Sequence, residues 1–282
     1  MRFAKYQGIG NDFVMLADPR DELELTPPLV RALSDRHFGI GADGVIRVAP
    51  GVDGADLSMD YVNSDGSIGE MCGNGIRCLA LFALQEGMTD ATHMRVATPA
   101  GLMTIEVGEN GRVRVDMGAP IFEPAAIPIR WDGPEALHAK LEVDGEVVEA
   151  TCLSMGNPHA VLFVDDPGRA PVPTLGPRLE THEAFPNRAN VEFVRIVSPE
   201  RVEMRVWERG VGETLACGTG ACAAAVASRL IGEADAEMVV SLPGGELEIE
   251  WEGSLEDDQP VFMTGPAVRS FEGEVDLEEM GL

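Results

Sequence analysis

The sequence predicts a mixed α/β chain of the α+β type, built by internal duplication as two pseudo-symmetric domains, each a curved sheet around a buried helix. Three observations predict it. Met71-Cys72-Gly73-Asn74-Gly75 and Ala216-Cys217-Gly218-Thr219-Gly220 repeat one pattern, a cysteine before glycines and an Ala/Leu-rich stretch. Further blocks recur around them in the same order and at a nearly constant offset. Elsewhere the chain reads as short apolar, β-branched segments punctuated by Gly, Pro, Asn and Asp.

The duplication is traced block by block. Gly10-Asn11-Asp12-Phe13 answers to Gly156-Asn157-Pro158-His159, and each precedes an apolar strand ending in aspartate. Met59-Asp60-Tyr61-Val62-Asn63 answers to Met204-Arg205-Val206-Trp207-Glu208, and Thr98-Pro99-Ala100-Gly101 to Leu242-Pro243-Gly244-Gly245. The expected domains are residues 1–118, with 265–282 returning to them, and 119–264.

Within this frame the elements follow from pattern. Strands are expected at Leu102–Val107, Val113–Met117, Val161–Val164, Val191–Ile196 and Leu247–Trp251, with Glu109-Asn110-Gly111 as a hairpin turn. A helix is expected over Pro28–Asp35, with Thr26 as N-cap and Pro27 and Pro28 in its first turn. The two longer helices, Gly75–Gln85 and Gly220–Ile231, are apolar on nearly every face, so they belong inside their domains. Pro120–Pro134 reads as the crossover between halves, and the acidic Glu252–Gln259 as a surface loop.

Composition bounds the function. The chain has 282 residues, enough for two cores, and 45% hydrophobic residues, as in a globular protein. No apolar run reaches membrane-spanning length, and Met1-Arg2-Phe3-Ala4-Lys5-Tyr6 leads straight into a strand pattern rather than a signal peptide. A cytoplasmic location is expected, where the five cysteines need form no disulfides. There are 48 acidic against 21 basic residues, a net charge of -27, and the only lysines are Lys5 and Lys140. Such a surface suits concentrated salt, where the Debye length contracts to about 3 Å at 1 M and self-repulsion is screened. It argues against a nucleic-acid partner, which needs clustered Lys/Arg.

The cysteines carry the chemistry. A helix N-terminus favours a thiolate over a thiol, whose ordinary pKa is about 8.5. Two such thiols on one carbon could remove a proton from one face and return one from the other. The glycines beside them let backbone N–H groups cradle a carboxylate next to the reacting carbon. Metal binding is not expected, because the cysteines lack Cys-x-x-Cys spacing and no histidine cluster accompanies them. Neither lysine sits in a motif suited to a pyridoxal Schiff base. Cys78, Cys152 and Cys222 read as core residues, and His37, His93, His138 and His182 as surface or structural. Arg77 reads as bonding within its own helix.

Gly8-Ile9-Gly10-Asn11-Asp12-Phe13, Asn63-Ser64-Asp65-Gly66-Ser67, Glu70 to Cys78, Gly156-Asn157-Pro158-His159, Asn190 and Glu208 to Gly220 together resemble the diaminopimelate epimerase family. The resemblance extends from residue 3 to about 265. It implies two pseudo-symmetric domains, each a bent, mainly antiparallel sheet around a central helix. It implies a reaction interconverting LL- and meso-diaminopimelate on the route to lysine, without cofactor or metal, in a homodimer. Cys72 and Cys217 would be the acid/bases. Gly73, Asn74, Gly218 and Thr219 would hold the reacting carboxylate, and Asn11, Asn63, Asn157, Asn190, Glu208 and Arg209 the remaining amino and carboxylate groups. His159 and Glu208 would help to set thiol protonation. Where some relatives carry a glutamine in the substrate site, this chain has Gly44. Two other readings stay open: the same mechanism on another substrate, as in proline racemase relatives, and a thiol redox or ligand-binding protein on the same fold.

The internal alignment adds an asymmetry. His159 occupies the place of Phe13 and Glu208 that of Asn63, so both ionisable groups lie in the second repeat. This predicts two unequal thiols.

Overall fold

The structure, a computed structural model, describes residues 1–69 and 72–280. Glu70 and Met71, the start of the first cysteine block, lie outside the described residues. In chain order the elements are β1 (Arg2–Gly8), β2 (Asn11–Ala17), α1 (Pro27–Ser34), β3 (Gly44–Pro50), β4 (Leu57–Asn63), α2 (Gly73–Gln85), β5 (His93–Thr98), β6 (Gly101–Val107), β7 (Val113–Asp116), β8 (Ala139–Val143), β9 (Glu146–Ser154), β10 (Pro158–Phe163), α3 (Val172–Glu180), β11 (Asn190–Ser198), β12 (Arg201–Glu208), β13 (Gly212–Thr214), α4 (Gly218–Leu230), β14 (Glu237–Leu242), β15 (Gly245–Glu250), β16 (Phe262–Gly265) and β17 (Val268–Glu274). The chain divides into two compact units, 1–116 with 264–282, and 117–263.

The first unit is a mixed, mainly antiparallel sheet. β17–β1, β1–β2, β3–β4, β5–β6 and β6–β7 pair antiparallel, while β2–β3 and β4–β5 pair parallel. Parallel neighbours need a crossover; α1 supplies the first and α2 the second. Helix α2 packs on β1, β2, β3, β4, β6, β7 and β17. Ile76, Cys78, Leu79, Ala80 and Ala83 are therefore fully buried, as its all-round apolar sequence requires. A smaller cluster, with Leu29, Val30 and Leu33, lies beneath α1.

The second unit repeats this plan. β8–β9, β9–β10, β11–β12 and β14–β15 pair antiparallel, with β10–β11 and β12–β14 parallel. Helix α4 packs on β9, β10, β11, β12, β14 and β15, and is buried from Gly218 to Ser228. Thus β9, β10, β11, β12, β14 and β15 stand where β1, β2, β3, β4, β5 and β6 stand in the first unit. The short β13, paired with β12 at Trp207 and Glu213, answers to a single antiparallel bridge between Val62 and Ile68 in the first unit.

Local departures have physical causes. Helix α1 begins at Pro27, with extended Thr26 in the N-cap position making no side-chain cap bond. Helices α2 and α4 begin two residues before the expected glycines, because each cysteine is itself the N-cap. The crossover segment is irregular but not a mere linker, since Ile127 and Ile129 join the second unit's core. Helix α3 is absent from the sequence reading: its composition, with Pro171 before it and Pro177 within it, argues against a helix. No helix among the described residues is long and apolar enough to cross a membrane.

Candidate active site

In the first unit the site grows from the start of α2. Cys72 is extended, at φ -138° and ψ 106°, and its sulfur accepts from the N–H of Gly75 at 3.4 Å. That glycine lets the helix start lie close on the sheet: a Cβ there would lie 2.8 Å from Ile46 Cδ1, the far end of a flexible side chain, and 3.3 Å from Cys72 Cβ. The hairpin between β1 and β2, with Ile9 at φ 47° and Gly10 at φ 90°, turns through two left-handed residues and delivers Asn11 at the head of β2.

A chain of fixed amides surrounds the thiol. Asp43 Oδ2 lies 2.6 Å from Asn11 Nδ2, and a carboxylate can only accept, so Asn11 must turn Oδ1 toward Cys72. The Cys72 thiol donates to that oxygen at 3.5 Å, and Asn74 Nδ2 donates to it at 3.3 Å. Asn74 is fixed in turn by Arg77, a pure donor, whose Nη2 lies 2.8 Å from Asn74 Oδ1. Fully buried Arg77 also binds Gly73 O at 3.0 Å and Pro266 O at 3.3 Å, so it anchors the helix start beyond its own helix. Behind Asp43, Arg36 bridges Asp43 and Asp12, and nearly buried Lys5 pairs with Asp12 at 2.5 Å. These cations hold the Asp12 carboxyl down at about 2 against the cost of its burial.

Asn63 ends β4 in register with Gly44, and its amide donates to Ser67 Oγ at 3.0 Å. At Gly44 itself a Cβ would lie 2.6 Å from both Tyr61 Cε2 and Val62 O. A glutamine contact from this position is therefore sterically closed to this chain.

The second unit reproduces the helix start. Cys217 sits at φ -131° and ψ 112°, accepting from the N–H of Gly220 at 3.3 Å. Asn157 Nδ2 donates to Thr219 Oγ1 at 3.3 Å, and Thr219 Oγ1 lies 3.6 Å from the sulfur. His159, wholly buried on β10, has Nε2 2.9 Å from Asn157 Oδ1 and Nδ1 2.7 Å from Glu192 Oε1. Asn190 is fixed at both ends: Nδ2 donates to Pro158 O and Oδ1 accepts from the N–H of Arg209. Glu208 accepts from the Thr214 hydroxyl. The half-buried Arg209 guanidinium makes no ion pair or hydrogen bond among the described residues, in a chain with 48 acidic residues.

One electrostatic expectation is reversed here. Helix-start geometry favours a thiolate, yet burial pushes the Cys217 thiol well above its ordinary value, and Glu208 and Glu192 push it further. The Thr219 hydroxyl and the Gly220 N–H pull the other way and lose. Burial likewise raises Glu208, against the bonds from Thr214 and Cys217 that lower it.

Both units thus present a thiol at a helix start, where first-turn N–H groups, including those of the residues after each cysteine, have no intrahelical acceptor. Cys78, Cys152 and Cys222 are fully buried in their cores, and burial drives Cys78 up to about 12. His37, His93 and His138 are exposed and His182 is partly so.

Two residues escaped the sequence reading. Glu192 is a wholly buried carboxylate in the apolar run Asn190-Val191-Glu192-Phe193-Val194, and that incongruity was its one visible signal. Glu180, at the end of α3, accepts from Trp207 Nε1 at 2.7 Å and from the N–H of Gly210 at 2.8 Å, bracing the turn that carries Glu208 and Arg209.

Known proteins resemble this chain over nearly its whole length. The chain is similar to a diaminopimelate epimerase of Acetivibrio thermocellus, 46% identical with 99% of this chain and 100% of the relative covered. It is 48% identical to diaminopimelate epimerase 1 of a Nostoc species, over 98% of this chain and 99% of the relative. Among solved structures it shares its fold with a phenazine biosynthesis protein of the PhzF family from Bacillus anthracis, at TM-score 0.70 and 17% identity, covering 98% of this chain and 99% of that one. It also shares it with a probable proline racemase from Agrobacterium radiobacter, at TM-score 0.69 and 16% identity, covering 98% and 93%. The sequence model described as Diaminopimelate epimerase matches residues 3–123 and 151–270, most of both halves, and the chain belongs to the diaminopimelate epimerase family.

Proposed function

We propose that the chain epimerises diaminopimelate between its LL and meso forms by a two-base mechanism in which Cys72 and Cys217 are the acid/bases. One cysteine, as thiolate, removes the α-proton and becomes a thiol. The other, as thiol, delivers a proton to the opposite face of the planar carbanion and becomes a thiolate. Protons balance, and the configuration inverts. The carbanion's charge spreads into the adjacent carboxylate, and first-turn N–H groups at Gly73, Asn74, Gly218 and Thr219 are the preorganised donors for it.

The observation that carries this reading is the repetition of one geometry, a thiol as N-cap of a buried helix with a glycine three residues on that lies close against the sheet. The guanidinium of Arg209, which makes no ion pair or hydrogen bond among the described residues, supports the substrate assignment, since a distal carboxylate would take it bidentately. Asn11, Asn63, Asn157 and Asn190 are the polar groups for the amino and carboxylate ends, and those fixed at one end by a charge or a main-chain group bind without paying for reorientation. The raised Cys217 and Glu208 support unequal thiols: Cys217 rests as a thiol, and Glu208 stands beside it to share its proton. His159 orders the Asn157 amide beside the same sulfur.

Proton NMR of LL-diaminopimelate with the reduced protein in D₂O and molar KCl tests this. The α-proton signal is expected to disappear as the meso isomer grows, and Cys72→Ala or Cys217→Ser to slow conversion by at least about 10³-fold. Conversion that survives either substitution, or exchange with proline but not diaminopimelate, would overturn the reading.

A further inference from the structure

The two units repeat the strands beneath their cysteines, and one pair of positions there differs in kind. Phe13 stands against Gly44 in the parallel pair β2–β3, and His159 stands against Asn190 in the parallel pair β10–β11. That register makes Ile46 and Glu192 equivalent. The glycines above them agree: a Cβ on Gly75 would meet Ile46 Cδ1 at 2.8 Å, and one on Gly220 would meet Glu192 Oε1 at 2.9 Å. The helix start carrying Cys72 therefore rests on the apolar pair Phe13 and Ile46. The one carrying Cys217 rests on an imidazole and a carboxylate 2.7 Å apart, both wholly buried.

Stability does not account for the exchange. A buried ion pair is often matched or bettered by apolar residues of similar volume, and the first unit shows that this architecture accepts the apolar solution. Glu192 also leaves Oε2 without a hydrogen-bond partner among the described residues. What the pair provides is direction. With Nδ1 held by Glu192, the ring turns Nε2 toward Asn157 Oδ1, Asn157 Nδ2 reaches Thr219 Oγ1, and Thr219 Oγ1 lies 3.6 Å from Cys217 Sγ.

We propose that Glu192 is a positioning residue for the proton transfers of Cys217, acting through His159 to hold the amide and hydroxyl beside that sulfur in one orientation. This rests on the epimerase reading above. The titratable groups packed against Glu192 are His159 from β10, Cys152 from β9, and Cys217 with Glu208. Burial raises the Glu192 carboxyl and His159 draws it back.

The test measures kcat, KM and the pH profile of kcat/KM in both directions for wild type, Glu192→Gln, Glu192→Asp, His159→Phe and the double variant His159→Phe/Glu192→Ile, which installs the first unit's pair. Glu192→Gln is expected to melt as wild type does, lose about 10–100-fold in kcat, hold KM, and show a displaced pH limb. Glu192→Asp should recover part of the loss. The double variant should stay folded and be as slow as His159→Phe. Wild-type kcat and an unmoved pH limb in Glu192→Gln would overturn the proposal. Should that variant fail to fold, the double variant decides, and near-wild-type turnover from it would overturn the proposal equally. Wild type inert toward diaminopimelate would sink the epimerase reading, and this proposal with it.

Discussion

At the scale of single residues, the two thiols share a backbone geometry and differ in what surrounds them. Cys72 is partly exposed and bonds to a neutral amide, whereas Cys217 is 4% exposed and faces two carboxylates. Helix-start attraction for a thiolate is worth about 1 kcal/mol, and it cannot offset burial beside like charge. The sign for stability follows: Cys217 holds its proton more tightly folded than unfolded, so the fold loses stability as pH rises from the ordinary thiol range toward the raised value. Thiolate absorbance measured as the difference between Cys72→Ala and Cys72→Ala/Cys217→Ser should therefore appear only above the ordinary thiol range. Adding Glu208→Gln should bring it down in pH. A Cys217 that titrates as a free thiol would refute the account. The chain Asp43–Asn11–Asn74–Arg77 is the corresponding device around Cys72, an amide relay with both ends fixed by charge.

At the scale of elements, the glycine three residues after each cysteine decides how closely the helix approaches the sheet. Ile46 Cδ1 is the far end of a flexible side chain, and Glu192 Oε1 is a carboxylate fixed by a buried hydrogen bond. Gly75→Ala and Gly220→Ala should then differ. The first should be absorbed by a rotamer change. The second should cost about 1–3 kcal/mol, as overpacking does, and displace His159. Urea unfolding of the two variants measures this, and equal losses would show that both sites give alike. Elements were legible where periodicity and punctuation agreed, as in α2, α4 and the β6–β7 hairpin. Helix α3 was not, because Pro177 opposes a helix locally, and contacts with β11, β12 and β13 override it.

At the scale of the whole molecule, the net charge of -27 is a physical property in its own right. Its ion pairs are mostly arginine with aspartate or glutamate at exposed positions, such as Arg201–Glu246 and Arg195–Glu203, each worth little alone. Unscreened repulsion opposes the folded state, and salt relieves it. The urea midpoint should rise as KCl increases from about 0.1 to 2 M, through the range in which the Debye length shrinks from about 10 Å to about 3 Å or less. A midpoint that falls with salt would mean that the ion pairs outweigh the repulsion.

The sequence by itself determined the duplication, the two buried helices and the thiols at their starts, because these depend on local pattern: cysteine, glycine and an apolar run within a dozen residues. It also placed His159 opposite Phe13 by alignment alone. Only the tertiary structure decided what those groups experience. Glu192 meets His159 from a strand 33 residues away, Arg77 reaches Pro266, and Glu180 braces the Glu208–Arg209 turn from α3. Burial, which reverses the direction expected for Cys217, is a property of everything packed around a residue, and no window of sequence contains it.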